Sequence, residues 1–188
     1  MTHDVTVVLA ALGVAGQALA ATLLLVGLAW LFGLRGPGDW LRRTVEGYEL
    51  WIVFLVSSIA TGGSLFFSEI AHFPPCELCW YQRICMYPLT ITSLLAALAN
   101  DRRMCRYLLP LPLVGAGVSV YHLLIENGVV VQSQICLASA PGGCAVKWIE
   151  EFGYVTIPTL ALTGFALCAA FLFLGALPAP SATVPDES

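Results

Sequence analysis

Apolar residues follow one another in long unbroken blocks along this chain of 188 residues, and five stretches contain no Asp, Glu, Lys or Arg: 5–34, 50–68, 84–100, 107–125 and 152–185. A helix needs roughly 20 apolar residues to cross a bilayer, so the pattern predicts five membrane spans and leaves no length for a separate soluble domain. Hydrocarbon offers no partner to a backbone amide, and blocks of this length suit helices better than barrel strands of roughly 10 residues. The expected fold is all-α, a polytopic transmembrane helical bundle. Gly62, Gly63, Gly115 and Gly117 are read as small residues that let such helices pack closely.

Composition excludes a water-soluble globule: 59% of residues are hydrophobic and 11% charged, where a soluble domain carries about 25% charged residues. The 8 basic and 12 acidic groups, net charge -4, sit at segment ends, without the basic stripe that nucleic-acid binding requires. Their positions set an expected orientation. Arg35, Arg42, Arg43, Arg102, Arg103 and Arg106 fall in two connections, and basic short loops resist translocation, so that side is expected to be cytoplasmic. The connections around 73–77 and 126–151 then face outward, and the C-terminal tail faces inward. Ala18, Leu19 and Ala20 resemble a signal-peptidase triplet, but residues 1–4 contain no Lys or Arg and the apolar block continues to Leu34. The first span is therefore expected to be retained. Residues 178–188, with three prolines and closing acids, read as a disordered end.

Seven cysteines divide into two groups. Cys85, Cys105 and Cys168 fall within spans or at their inner ends and read as small buried hydrophobes. Cys76 and Cys79 occupy the first outward connection, and Cys136 and Cys144 the second, where an oxidising compartment favours disulfide chemistry. Pro74 and Pro75 are expected to start a helix, since proline lacks only an amide hydrogen that the first turn leaves unpaired. The Cys-x-x-Cys pair then opens that helix, where amides and macrodipole favour the reactive thiolate. Cys76, Cys79 and Arg83 are spaced by three and four and share one helix face. An arginine at the edge of hydrocarbon is costly, and here it is a candidate for holding a thiolate or an anionic ligand, or else a snorkelling anchor.

Other uses of the motif can be weighed from the residues. Covalent haem attachment needs His after the second Cys, and Trp80 stands there. Cys76, Cys79, Cys136 and Cys144 have the makings of a structural four-thiolate zinc site, although paired thiols outside a membrane tend to oxidise. A structural disulfide across so small a loop adds little stability. The second pair lies in a Gly- and Pro-containing connection of mobile character, able to take part in a relay of mixed disulfides. Residues 146–152 have the apolar spacing of a short helix on the membrane surface, or of an aromatic collar. No Gly-rich dinucleotide fingerprint or phosphate loop is present, so a membrane-soluble electron acceptor is the natural alternative. His122, near the outer end of the fourth span, is a candidate to hydrogen-bond a ring carbonyl of such an acceptor.

The run Pro75, Cys76, Glu77, Leu78, Cys79, Trp80, Tyr81, Gln82, Arg83, with Met86, Tyr87 and Pro88 after it, resembles the DsbB family of membrane disulfide-bond oxidases, in particular its Gram-positive BdbC branch. Tyr121 with His122, and Trp148 followed by Phe152, Gly153, Tyr154, Val155, Thr156, Ile157 and Pro158, extend the likeness over about residues 48–175. The resemblance implies a thiol oxidase of the bacterial plasma membrane. It would reoxidise an extracytoplasmic thioredoxin-fold partner of the DsbA or BdbD type and pass two electrons to menaquinone or ubiquinone. It also implies Cys76 and Cys79 as the membrane-proximal redox pair, Cys79 beside the quinone as a thiolate, Arg83 and His122 as quinone-binding residues, and Cys136 and Cys144 as the loop pair, Cys136 meeting the partner. The vitamin K epoxide reductase bundle places its loop pair before the Cys-x-x-Cys, the reverse of the order here. Residues 48–177 are thus expected to form a four-helix bundle with two Cys-bearing loops, and 1–47 an additional N-terminal transmembrane helix and cytoplasmic loop. The rival expectation is a non-catalytic membrane protein whose outer cysteines staple loops or hold zinc.

Overall fold

A computed structural model describes residues 2–33 and 35–177; the expected disordered tail at 178–188 lies outside the described residues. Eight α-helices follow in order among them: α1 (Thr2–Leu31), α2 (Arg35–Val45), α3 (Glu49–Leu65), α4 (Glu77–Leu98), α5 (Met104–Leu108), α6 (Pro110–Glu126), α7 (Gln134–Ser139) and α8 (Ile157–Ala176). A π-helical turn, Phe66–Ile70, prolongs α3, and a 3-10 turn, Gly143–Ala145, follows α7. Prolines stand at the first turns of α6 and α8, where their missing amide costs nothing.

Helices α3, α4, α6 and α8 close a ring, with α3 and α6 each packing on both α4 and α8, while α1 lies outside the ring against α8. This is the expected bundle with one added helix. Among the described residues, four helical stretches are long and apolar enough to cross a membrane: His3–Trp30, Glu49–Ile70, Met104–Glu126 and Ile157–Ala176. The fifth expected span corresponds to α4, which has the length, 22 residues, but not the composition. It carries Gln82, Arg83 and Ser93, all buried. Enclosure by neighbouring helices replaces the lipid contact that those side chains would make costly.

Val53, Leu89, Phe165 and Leu172 form the centre of the bundle core. Gly115 lets α6 approach α8, because a Cβ there would run into the Phe165 ring. Gly63 faces Leu9 of α1, 3.5 Å from where its Cβ would stand, whereas Gly62 and Gly117 face open space. Of the four glycines read as packing residues, only Gly115 excludes a Cβ, since 3.5 Å at Gly63 is an ordinary contact distance.

At one end of the bundle the two arginine-bearing connections meet. Arg102 pairs with Glu46 at 3.1 Å and with the buried Glu49 at 2.7 Å, which fastens the α4–α5 turn to the start of α3. The helix α2 in the first of these connections was not evident from the apolar blocks. The other end carries the four loop cysteines. Between them and α8, the surface helix expected over 146–152 does not form. Glu151 instead bridges to Val155 across a turn in which Phe152 (φ 54°) and Gly153 (φ 77°) are left-handed, a conformation that helix propagation does not allow. Trp148 is held by stacking on Phe73, ring centroids 5.4 Å apart.

Candidate functional site

Local sequence sets the start of α4. Pro74 and Pro75 lie in the extended approach rather than at the first helical position, and Cys76 is the N-cap, its sulfur accepting from the Cys79 amide at 3.4 Å. The motif thus opens the helix as expected, with sulfur in the place an Asp or Ser oxygen usually takes. The Cys76 and Cys79 sulfurs are 2.9 Å apart. One helical turn on, Arg83 is buried. Its Nε donates to Ser64 Oγ at 3.0 Å and an Nη to the Ser64 carbonyl at 3.1 Å, and the guanidinium lies 5.2 Å from the Trp80 ring centroid. Ser64 takes only two of the five N–H donors of the guanidinium.

Cys136 and Cys144 are joined by a disulfide and are each 1% exposed. Ser133 caps α7 by accepting from the Cys136 amide, and Gln132 Oε1 accepts from the Cys144 amide at 3.0 Å. Ser139 accepts from the Glu77 amide at 3.1 Å, which ties α7 to the first turn of α4. Cys76, Cys136, Cys144 and Ile125 share one small apolar core. The loop that the sequence suggests is mobile is seated on the Cys-x-x-Cys turn.

His122 stands between the two cysteine pairs. Its Nε2 is 3.0 Å from the Cys144 carbonyl and 3.8 Å from the Cys76 sulfur. A carbonyl only accepts, so Nε2 carries the proton, and Nδ1 accepts from the Gln82 amide at 3.5 Å. His122 borders a small pocket together with Cys76, Cys144, Glu126 and Thr156, where Thr156 donates to Glu126 at 3.1 Å. Arg83 borders a different and larger cavity of about 250 Å³, with Cys79, Gln82, Ser64 and Tyr87 at its polar end. Arg83 and His122 thus border different cavities, which share Cys79 in their walls. Ser64 and Gln132 had no motif to mark them, and Gln82, though within the Cys-x-x-Cys run, had no role assigned to it; the contacts of all three emerge only from proximity in space.

Hydrogen bonding from the Cys79 thiol, opposed by burial and assisted by His122, lowers the Cys76 pKa to about 4. In the reduced pair the anion belongs to Cys76, the shared proton to Cys79. Because the charged form exists above the pKa, the Cys76 thiolate should persist through neutral pH and disappear only as pH falls through about 4. An ordinary thiol loses its charge below about 8.5. The thiolate absorbance of the reduced protein minus that of Cys76→Ser should show the acidic midpoint; a midpoint in the ordinary thiol range contradicts the assignment.

Cys76, Cys79 and His122 also present three metal-ligating atoms within 4.8 Å of one another. With Cys136 and Cys144 bonded to each other, the four-thiolate zinc set is not assembled in this structure.

Residues 48–175 match the family described as Disulfide bond formation protein DsbB. Disulfide bond formation protein C of Bacillus subtilis is 44% identical over 135 residues, 71% of this chain and 94% of its own length. Probable disulfide formation protein C 1 of Bacillus anthracis is 43% identical over 133 residues, 71% of this chain and 95% of its own. A probable disulfide formation protein of Coxiella burnetii is 38% identical over 133 residues, 70% of this chain and 90% of its own. No solved structure matches. The matched segment holds both cysteine pairs, Arg83, His122 and the four helices of the ring, and the chain is an integral membrane protein of the DsbB family.

Proposed function

We propose that this protein is a membrane thiol:disulfide oxidoreductase that reoxidises an extracytoplasmic thioredoxin-fold partner of the DsbA type and delivers the electrons to a membrane quinone, in support of disulfide bond formation. One observation carries the reading: the Cys76–Cys79 pair lies between a seated disulfide on one side and a buried arginine at the polar end of an apolar cavity on the other. A redox pair so placed has a thiol source and an electron sink within reach.

The first exchange breaks the Cys136–Cys144 bond. A partner thiolate attacks Cys136, Cys144 leaves as the thiolate, and the second partner thiol displaces Cys136, so the partner leaves oxidised and the loop pair reduced. Both loop sulfurs are 1% exposed, so α7 must lift from the Glu77 amide to admit the partner. Cys144 then attacks the Cys76–Cys79 disulfide at Cys76, Cys79 is released, and the Cys136–Cys144 bond re-forms. His122 donates to the Cys144 carbonyl and lies against Cys76, which fixes the loop and steadies the Cys76 anion. Re-forming the Cys76–Cys79 bond releases two electrons and the Cys79 proton, with a second proton drawn from water. A quinone in the large cavity supplies the oxidising power, accepting those two electrons and two protons. The cavity fits such a molecule: Arg83 offers spare donors for a carbonyl oxygen, and the remainder of the lining is largely apolar.

The test is quinone reduction by the purified protein with a reduced DsbA-like donor. The expected result is one quinone reduced per donor dithiol oxidised. Inert loop disulfides, or stoichiometric zinc held by the four outer cysteines, would establish the non-catalytic alternative.

A further inference from the structure

The large cavity has a wall that the family match does not include. Residues 48–175 carry the match, yet Leu9, Leu12, Gly13 and Gly16 of α1 border the same cavity as Cys79 and Arg83. These residues lie on the face of α1 turned towards the seam between α3 and α8. Leu9 approaches Gly63 of α3, and a Cβ on Gly13 would collide with Leu160 of α8. A Cβ on Gly16 would stand 3.0 Å from Thr163 and 3.3 Å from Leu167. Close backbone approach of this kind holds membrane helices together. The depth of α1 is fixed separately by Tyr154, whose hydroxyl donates to Gln17 at 2.9 Å. Helix α1 is thus docked, not merely adjacent, and it covers the part of the α3–α8 seam that would otherwise open to lipid.

The cavity wall is chemically mixed. Ser64, Arg83 and Tyr87 form a hydrogen-bonded polar group in its wall, and Leu9 and Leu12 of α1, with Ile59 and Leu160, add apolar surface to the same cavity. A ligand matched to that lining has a polar group and an apolar part. We infer that α1 forms the outer wall of a tail subsite, against which the isoprenoid chain of a quinone lies while its ring is held near Arg83 and Cys79. This rests on the quinone reading above and adds to it a selectivity element: with its leucines against the chain, α1 sets which tailed quinones are used.

The test keeps the full chain and a reduced thioredoxin-fold donor and compares two quinones of one ring type, menadione, without a tail, and a menaquinone with several isoprene units. Leu12→Trp fills the cavity from the α1 side at a half-exposed position. It should raise KM for the tailed quinone about tenfold or more, the scale of a changed apolar pocket, while leaving menadione within about twofold. Equal shifts for both quinones, or none, overturn the tail subsite. Photolabelling by a menaquinone analogue with a photoreactive tail decides the matter independently of turnover. Label on peptides containing Leu9 or Leu12 supports the subsite, and label confined to 48–175 overturns it. Wild-type protein that reduces neither quinone refutes the functional reading, whereas wild-type turnover with indifferent variants refutes the role of α1 alone.

Discussion

Cys79→Ser should stop catalytic transfer from a reduced thioredoxin-fold donor to quinone while permitting a single exchange at the loop. The Cys136–Cys144 disulfide is intact in that variant and can oxidise one equivalent of donor. Cys76 then has no partner with which to close a disulfide, so the electrons have no outlet toward the cavity that Cys79 borders. After that one exchange Cys76, Cys136 and Cys144 should all remain as thiols, because no disulfide is left in the site to re-form the loop bond, and alkylation mapping in non-reducing digests would show all three as free. A second effect follows from the same deletion. The Cys79 thiol is the largest contribution to lowering the Cys76 pKa, and a serine hydroxyl in its place is a different donor to sulfur. The thiolate midpoint of Cys76 should therefore move up from its acidic value, though His122 and the residue 79 amide still support the anion. Continued multiple turnover, or quinone reduction at the wild-type rate, would sink the proposed electron path. The substitution should leave folding intact, since the bundle core is built from Val53, Leu89, Phe165 and Leu172 and does not include Cys79.

The spans were legible because membrane insertion imposes a constraint on every residue of a segment at once, so the blocks at 5–34, 50–68, 107–125 and 152–185 show it without any tertiary information. The redox turn was legible for a local reason: Pro-Pro-Cys-x-x-Cys sets the entry, the cap and the first turn within six residues. What the sequence hides are relations across long separations. Ser64 holds Arg83 from 19 residues away, and His122 reaches Cys76 from 46. Position along a span gave His122 roughly the depth of Arg83 but not which cavity it borders, and the two border different ones. The surface helix expected at 146–152 failed because apolar spacing is blind to a left-handed turn at Phe152 and Gly153. Helix α1 looked like an accessory by its position outside the family pattern, yet its leucines border the cavity that holds Arg83. A buried polar side chain such as Gln82 is a cost in the sequence until its partner is seen, here His122.

Arg83→Ala should separate the two halves of the reaction. The guanidinium is buried at the polar end of the cavity, close enough to Cys79 to act on its charge, and far from the loop disulfide in bonding terms, with Ser64 as its hydrogen-bonded partner. If it stabilises negative charge developing on a quinone oxygen, its removal should slow quinone reduction by roughly 10²–10³-fold, as loss of a preorganised donor does in other enzymes. Exchange between the donor and the Cys136–Cys144 disulfide, measured in a single turnover without quinone, should stay close to wild type. Arg83→Lys retains the charge but not the planar fork and should fall between the two. An anchoring role predicts something different. The bonds to Ser64 join α4 to α3, so loss of an anchor would loosen the turn that carries both thiols, lower thermal stability and slow both half-reactions together. Ser64→Ala separates the possibilities further, because it removes one bond that orients the guanidinium while leaving its charge and the backbone carbonyl contact in place. A catalytic arginine then gives a small rise in quinone KM with donor exchange unchanged, whereas an anchor gives a loss of stability in Ser64→Ala that follows the loss in Arg83→Ala.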